Sequence, residues 1–170
     1  MTPERTIPQL RQFVEAGGTI VAIGSSAANI AAHFKLPVDN HLVENGEALP
    51  RAKYFVPGSV LAGKMDTAHP LAAGMGERAD FFFDNSPVFR LRPDDSSVRA
   101  IATFDTETPL RSGWAWGQNY LKGGVIAADA AVGKGRVVLY GPEILQRAQP
   151  HGTFKLLFNA LFESAAQPRK

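Results

Sequence analysis

The chain has 170 residues, 45% of them hydrophobic and 20% charged, with a formal net charge of +2 and no cysteine. That is room for one domain around a single core, and it excludes disulfides, thiolate metal sites and every cysteine nucleophile. No Lys/Arg run is dense enough for nucleic acid or an anionic membrane surface, and the apolar stretches are too short and too broken by Gly and Pro to span a bilayer.

The opening "MTPERTIPQL" has no apolar h-region, so no signal peptide is expected. Ile7, Leu10, Phe13 and Val14 share one helical face, and Gly17-Gly18 supplies the stop. "TIVAIG" (19–24) is a continuous, β-branched apolar run of the kind buried in parallel sheets. It is expected in the middle of a sheet, with neighbours on both edges. Ser25 or Ser26 is placed to cap a second helix whose buried face is Ala27, Ile30, Ala31 and Phe34.

Strand candidates follow, separated by Pro, Gly, Asp and Ser clusters: "KYFVPGSVLAG", "ADFFFDN", "SVRAIATF", "GGVIAADA" and "GRVVLYG". Gly133-Lys134-Gly135 reads as a hairpin turn that makes the last two antiparallel. In "FFFDNSPVF", Phe81 and Phe83 share one face of a core strand, and Asp84 to Pro87 turn the chain. Phe154, Leu157, Phe158 and Leu161 at helical spacing predict a last helix burying one wall against the sheet. One domain is expected over residues 1–163, with "SAAQPRK" (164–170) a frayed tail. A doubly wound domain normally opens on a strand, whereas this pattern opens on a helix. The reading is therefore a mixed α/β sheet lacking its first strand-helix units. An open apolar edge on the first strand is then expected to be covered, with a homodimer through that strand as the leading form.

Three stretches, "FVPGSVLAGKMDTAHPLAAGM", "SGWAWGQNYLKGGVIAADAAVGKGRVVLYG" and "RAQPHGTFKLLFNALF", together resemble the glutamine-amidotransferase-like domain at the C-terminal end of many bacterial zinc carboxypeptidases. The resemblance runs from about Leu10 to Phe162. It implies a flavodoxin-like α/β domain appended to the peptidase domain of a longer parent chain, which would be periplasmic or secreted. On the class I amidotransferase pattern, the nucleophile's elbow falls at Gly24, the general base at Gly141 and the orienting carboxylate at Glu143. Two of the three members are glycine, so the resemblance implies a degenerate domain with no catalytic residues, no cofactor and no metal.

Four local readings remain. Ser25 and Ser26 beside the elbow are helix caps, or the nucleophile of a hydrolase with a rebuilt serine site if a base lies within reach. Arg147, Gln149 and His151 surround the last turn, where His151 reads as a cap of the final helix or a polar anchor in a cleft. Trp114 and Trp116, in the glycine-flanked loop 112–120, present large π-faces for packing, an interdomain contact, or stacking on a glycan or other small molecule. "HLVE" sets Glu44 three residues after His41, but without a second histidine at ligand spacing it reads as a loop histidine beside a loop glutamate. Function thus divides between an accessory domain supporting a carboxypeptidase, a free-standing small-molecule or glycan binder, and a serine hydrolase.

Overall fold

The computed structural model describes residues 2–166. Three helices, α1 (Thr6–Glu15), α2 (Ser25–Phe34) and α3 (Phe154–Ala166), sandwich a nine-stranded mixed sheet. The main path runs β1 (Thr19–Ile23), β11 (Gly135–Tyr140), β10 (Val125–Val132), β8 (Val98–Thr103), β5 (Ser59–Met65) and β6 (Arg78–Phe83). Three short strands join at its side: β2 (Val38–Asn40) and β7 (Phe89–Leu91) pair with each other and β7 with β10, while β9 (Leu110–Ser112) pairs with β5. A separate two-stranded ribbon joins β3 (Val43–Glu44) to β4 (Glu47–Ala48).

Strand alternation divides the core between two faces. On β11, Val137 and Leu139 enter the cluster under α1 and α2, with Ile7, Val14, Ile30 and Phe34. Val138 and Tyr140 enter the larger cluster under α3, with Phe81, Phe83, Phe104 and Leu156. The Tyr140 hydroxyl donates to the Leu156 carbonyl at 2.9 Å, tying α3 to the sheet. As the spacing predicts, β10 and β11 form an antiparallel hairpin, and Phe81 and Phe83 are fully buried on one face of β6.

The face pattern of "TIVAIG" asks for neighbours on both edges, and the order of elements leads to one open edge; the structure has that open edge. β1 pairs in parallel with β11, the one parallel pair among the described residues, and none of them pairs with its other edge. Its faces are apolar because helices cover both of them. One expectation of the fold fails: the last helix buries a different stripe. Leu156 and Ala160 face the core, whereas Phe158 (61% exposed) and Leu161 (52%) face outward, as does Phe13 on α1 (54%). The helix continues through Ser164 to Ala166; the rest of the expected tail, 167–170, lies outside the described residues. No helix among the described residues is long and apolar enough to cross a membrane.

Beneath α3 the sheet carries a charged cluster. His69 is 2% exposed, and its Nδ1 accepts the Leu71 N–H at 3.2 Å, which leaves Nε2 to hold the proton. Nε2 lies 3.7 Å from Asp129 Oδ2, on which Arg136 closes at 3.3 Å. Burial, partly offset by Asp129, lowers the His69 pKa, with Arg99, Asp66 and Arg136 contributing smaller effects. Burial likewise raises Asp129, against the pull of Arg136 and His69.

A histidine depressed by folding contributes stability that is present above its unfolded pKa of about 6.5 and lost as pH falls through the folded value. His41, also lowered chiefly by burial, has the same sign. Asp129, raised chiefly by burial, has the opposite sign and works against the two histidines. The melting temperature is therefore expected to fall between pH 7.5 and 5.5, and to fall less in His69→Gln, whose amide oxygen can still accept the Leu71 N–H. A melting temperature that rises over this interval in the parent chain contradicts the assignment.

Candidate functional site

β1 runs into α2 through Gly24, at φ 62° and ψ −139°, a conformation open to glycine and strained for any other residue. This is the strand-to-helix elbow on which a nucleophile would stand. A β-carbon built there would overlap the carboxylate of Glu143. The carboxylate thus lies at the positive end of α2 and fills the nucleophile's space. Gly141 is closed in another way: a β-carbon there would overlap the Pro87 carbonyl oxygen, while its own N–H donates to Ile126 at 2.9 Å. No imidazole fits at that position without moving backbone.

Ser25 and Ser26 are the exposed first residues of α2 and make no capping hydrogen bond. The cap is Gly24, whose carbonyl accepts the Ala27 N–H at 3.0 Å, so the expectation of a serine cap is corrected. The positive φ completes the turn one residue earlier than composition suggests. Of the other local readings, His41 Nε2 meets the Lys122 carbonyl at 3.2 Å and Glu44 pairs with Lys53, so the two face different partners. No cluster of three or more metal-ligating side chains occurs among the described residues.

The aromatic loop is built, not loose. Phe55 and Trp116 exchange backbone hydrogen bonds at 3.0 and 2.9 Å, and the Trp116 indole donates to the Ala52 carbonyl at 2.8 Å. Ser59 Oγ donates to the Trp114 carbonyl at 2.8 Å and accepts its N–H at 2.9 Å. Both indoles stay more than half exposed, at 58% for Trp114 and 54% for Trp116. Trp114 meets Phe55 edge-on at 6.1 Å. The Arg51 guanidinium lies 4.0 Å above the Phe55 ring and has no ion pair among the described residues.

Arg51, Phe55 and the two tryptophans line a shallow concavity of about 360 Å³. Arg51 and Phe55 also border a second, apolar cavity of about 630 Å³ walled by Ala31, Leu42, Leu49 and Val88. Tyr54, another wall residue, is 8% exposed, and its hydroxyl has no hydrogen-bond partner among the described residues. Burial raises its pKa well above the tyrosine range, so it stays a neutral donor. Arg51, Tyr54 and Phe55 were invisible as site residues because "KYF" reads only as the start of a strand. The signal that could have found them is a basic and aromatic cluster immediately before the Pro57-Gly58 turn.

The last turn forms a third region. Arg147 and Ala148 both have left-handed backbone (φ 47° and 56°). Gln149 and His151 line a cavity of about 810 Å³ with Arg78 and Lys155, whereas Arg147 is not among its walls. His151 Nε2 lies 2.9 Å from the Ala148 carbonyl, so the ring donates back to the turn and does not cap the helix. The structure therefore brings Trp114 to Trp116 and Gln149 to His151, but does not join either pair to Ser25 and Ser26.

No family model and no curated protein matches the chain. Solved structures do. A β-galactosidase from Bacillus circulans sp. alkalophilus superposes with a TM-score of 0.57 at 16% identity, over 95% of this chain and 21% of that one. A putative ThuA-like protein from Bacteroides uniformis gives 0.54 at 12% identity, over 96% and 64%. A cytoplasmic protein from Salmonella typhimurium gives 0.53 at 13% identity, over 92% and 59%. At these identities the likeness shows the fold alone, a mixed α/β fold that fits the flavodoxin-like type. The chain spans less than two thirds of the length of each of these proteins.

Adding a side chain at the elbow should destabilise the fold. Gly24→Ala is expected to lose about 1–3 kcal/mol to backbone strain, with the flexible Glu143 carboxylate swinging aside from the new β-carbon at little further cost. Glu143→Gly in the same chain should therefore recover little of the loss. Urea unfolding of the single and double variants checks this; equal stability of Gly24→Ala and the parent contradicts it.

Proposed function

We propose that this is a degenerate amidotransferase-like domain with no chemistry of its own, serving as an accessory domain of a larger zinc carboxypeptidase-like protein. The observation that carries the first half is the closed elbow, with Glu143 over Gly24 and Pro87 against Gly141. A serine nucleophile also needs a base within hydrogen-bond reach, and neither Ser25 nor Ser26 makes a side-chain hydrogen bond to a histidine among the described residues. The carboxypeptidase parent rests on the sequence resemblance alone. In that setting the exposed Trp114 and Trp116 would dock on the peptidase domain or help hold its substrate. Incubation of pure chain with glutamine, and with peptides of varied C-terminus, is expected to release nothing above buffer. Turnover abolished by Ser25→Ala or Ser26→Ala would overturn the reading in favour of the serine hydrolase.

A second reading, a small-molecule or glycan binder, is favoured by the Arg51–Phe55–Trp114–Trp116 surface and the unpartnered Tyr54 hydroxyl beside it. A flat apolar ligand face would stack on the indoles while a polar edge met Arg51. Fluorescence titration of the isolated chain with oligosaccharides and with peptides separates the two readings. Binding that weakens at least about tenfold, or about 1.4 kcal/mol, in Trp114→Ala and Arg51→Ala at unchanged melting temperature selects the binder. Saturation by none of these ligands selects the interdomain contact.

A further inference from the structure

The apolar cavity of about 630 Å³ beside α2 shares Arg51 and Phe55 with the indole surface but neither tryptophan. Small-molecule sites fall in the range of about 300–1,000 Å³. Its room comes from the sequence: Ala28, Ala31 and Ala32, at i, i+3 and i+4 on α2, put three short side chains on one wall. Leu42 and Leu49 form another, held together by the Leu49 N–H, which donates to the Leu42 carbonyl at 3.0 Å. Most polar side chains on the wall already hold a protein partner. Asp39 accepts two hydrogen bonds from Arg92, Asn40 accepts the Leu42 N–H, Asn85 the Val56 N–H and Ser86 the Asp84 N–H. Two groups are left over. The Tyr54 hydroxyl, on a residue only 8% exposed, has no hydrogen-bond partner among the described residues, and the exposed Arg51 has no ion pair among them. One turn of backbone sets them together. The Lys53 and Tyr54 N–H groups both reach the Pro50 carbonyl, at 2.8 and 3.0 Å, so Arg51 and Tyr54 stand three residues apart along one side of a single helical turn.

We propose that this cavity binds a small apolar monocarboxylate, its hydrocarbon or aromatic body against the alanine wall of α2 and its carboxylate between the Tyr54 hydroxyl and the Arg51 guanidinium. Both leftover groups are donors, and an ionised carboxylate offers acceptors enough for the two. A buried hydroxyl without a partner is costly. Water is a poor substitute, because it needs several polar neighbours and those on the wall are already engaged. A phosphate carries more charge and more acceptor oxygens than one guanidinium and one hydroxyl can meet. An alcohol or amide would satisfy Tyr54 and leave the cation unused. The rest of the wall holds no second cation and no second orphaned polar atom, so the remainder of the ligand is apolar. Arg51 already rests on the Phe55 ring, at 4.0 Å, so a carboxylate bound there orders little that is not ordered before. This goes beyond the binder reading above, which seats a ligand on the indoles, and it holds with or without a parent peptidase.

Titration of the full chain with octanoate and with phenylbutyrate, followed by methyl and amide NMR, tests it, with octanol as the uncharged control. Both carboxylates are expected to saturate one site at millimolar concentration and to shift the signals of Ala28, Ala31, Ala32, Leu42 and Val88. They should bind at least about tenfold more tightly than octanol. Arg51→Gln and Tyr54→Phe should each weaken them at least about tenfold. Because Tyr54→Phe also removes an unpartnered hydroxyl, the free variant should melt no lower than the parent. Ala28→Leu with Ala32→Leu, both at exposed positions of α2, fills the cavity and should abolish binding without loss of helix content. This variant keeps the test decisive if Tyr54→Phe disturbs the fold. Failure of both acids to saturate overturns the proposal. Equal affinity for octanol overturns it by removing the carboxylate from recognition. Saturable shifts confined to the indole N–H signals of Trp114 and Trp116 overturn it as well, and place the ligand on the indole surface.

Discussion

A single backbone hydrogen bond, from the Gly24 N–H to the Tyr140 carbonyl at 2.9 Å, fixes the geometry on which the site depends. It closes the parallel pair of β1 and β11 at their C-terminal ends, so the two glycine turns that follow, at Gly24 and Gly141, lie side by side. With the turns aligned, Glu143 reaches back over Gly24 and its carboxylate takes the space above the elbow. The same alignment presses Gly141 against Pro87, at the end of the Asp84–Pro87 turn. Neither turn leaves a vacant site. The space above Gly24 is taken by a carboxylate and that beside Gly141 by backbone.

That closure moves the exposed chemistry elsewhere. What remains accessible is a rigid aromatic face held by backbone pairing between Phe55 and Trp116, with Ser59 bonded twice to Trp114 and a guanidinium resting on Phe55. Indoles fixed in this way lose little conformational freedom on contact, which suits them to stacking or docking. Their exposure is a cost to the isolated chain that a partner or a ligand would remove. The open edge of β1 is separate in the fold and differs in kind. Among the described residues it offers unpaired backbone, not aromatic rings.

Much of the fold was legible in the sequence, because face patterns report burial directly. The apolar run at 135–141 and the Gly133-Lys134-Gly135 turn predict the β10–β11 hairpin, and Ala27, Ile30, Ala31 and Phe34 predict the buried face of α2. The open edge of the first strand was legible in the order of the elements, a helix before any strand, and not in the face pattern of "TIVAIG", which records only that both faces are covered. The last helix misled: two apolar stripes share it, and the outer one, with Phe158 and Leu161, is as well spaced as the inner. At the site, the missing cysteine and the glycines at 24 and 141 were visible. The carboxylate filling the elbow and the Arg51–Tyr54–Phe55 surface were not, since both arise from contacts between residues far apart in the chain.

The central claim, that no reactive nucleophile stands at the elbow, is tested most directly by intact-mass spectrometry after treatment with an excess of a fluorophosphonate, which phosphonylates activated serines with loss of fluoride. The account predicts an unchanged mass, because Ser25 and Ser26 are ordinary hydroxyls on the first turn of α2. A stoichiometric adduct mapping to either serine would contradict it.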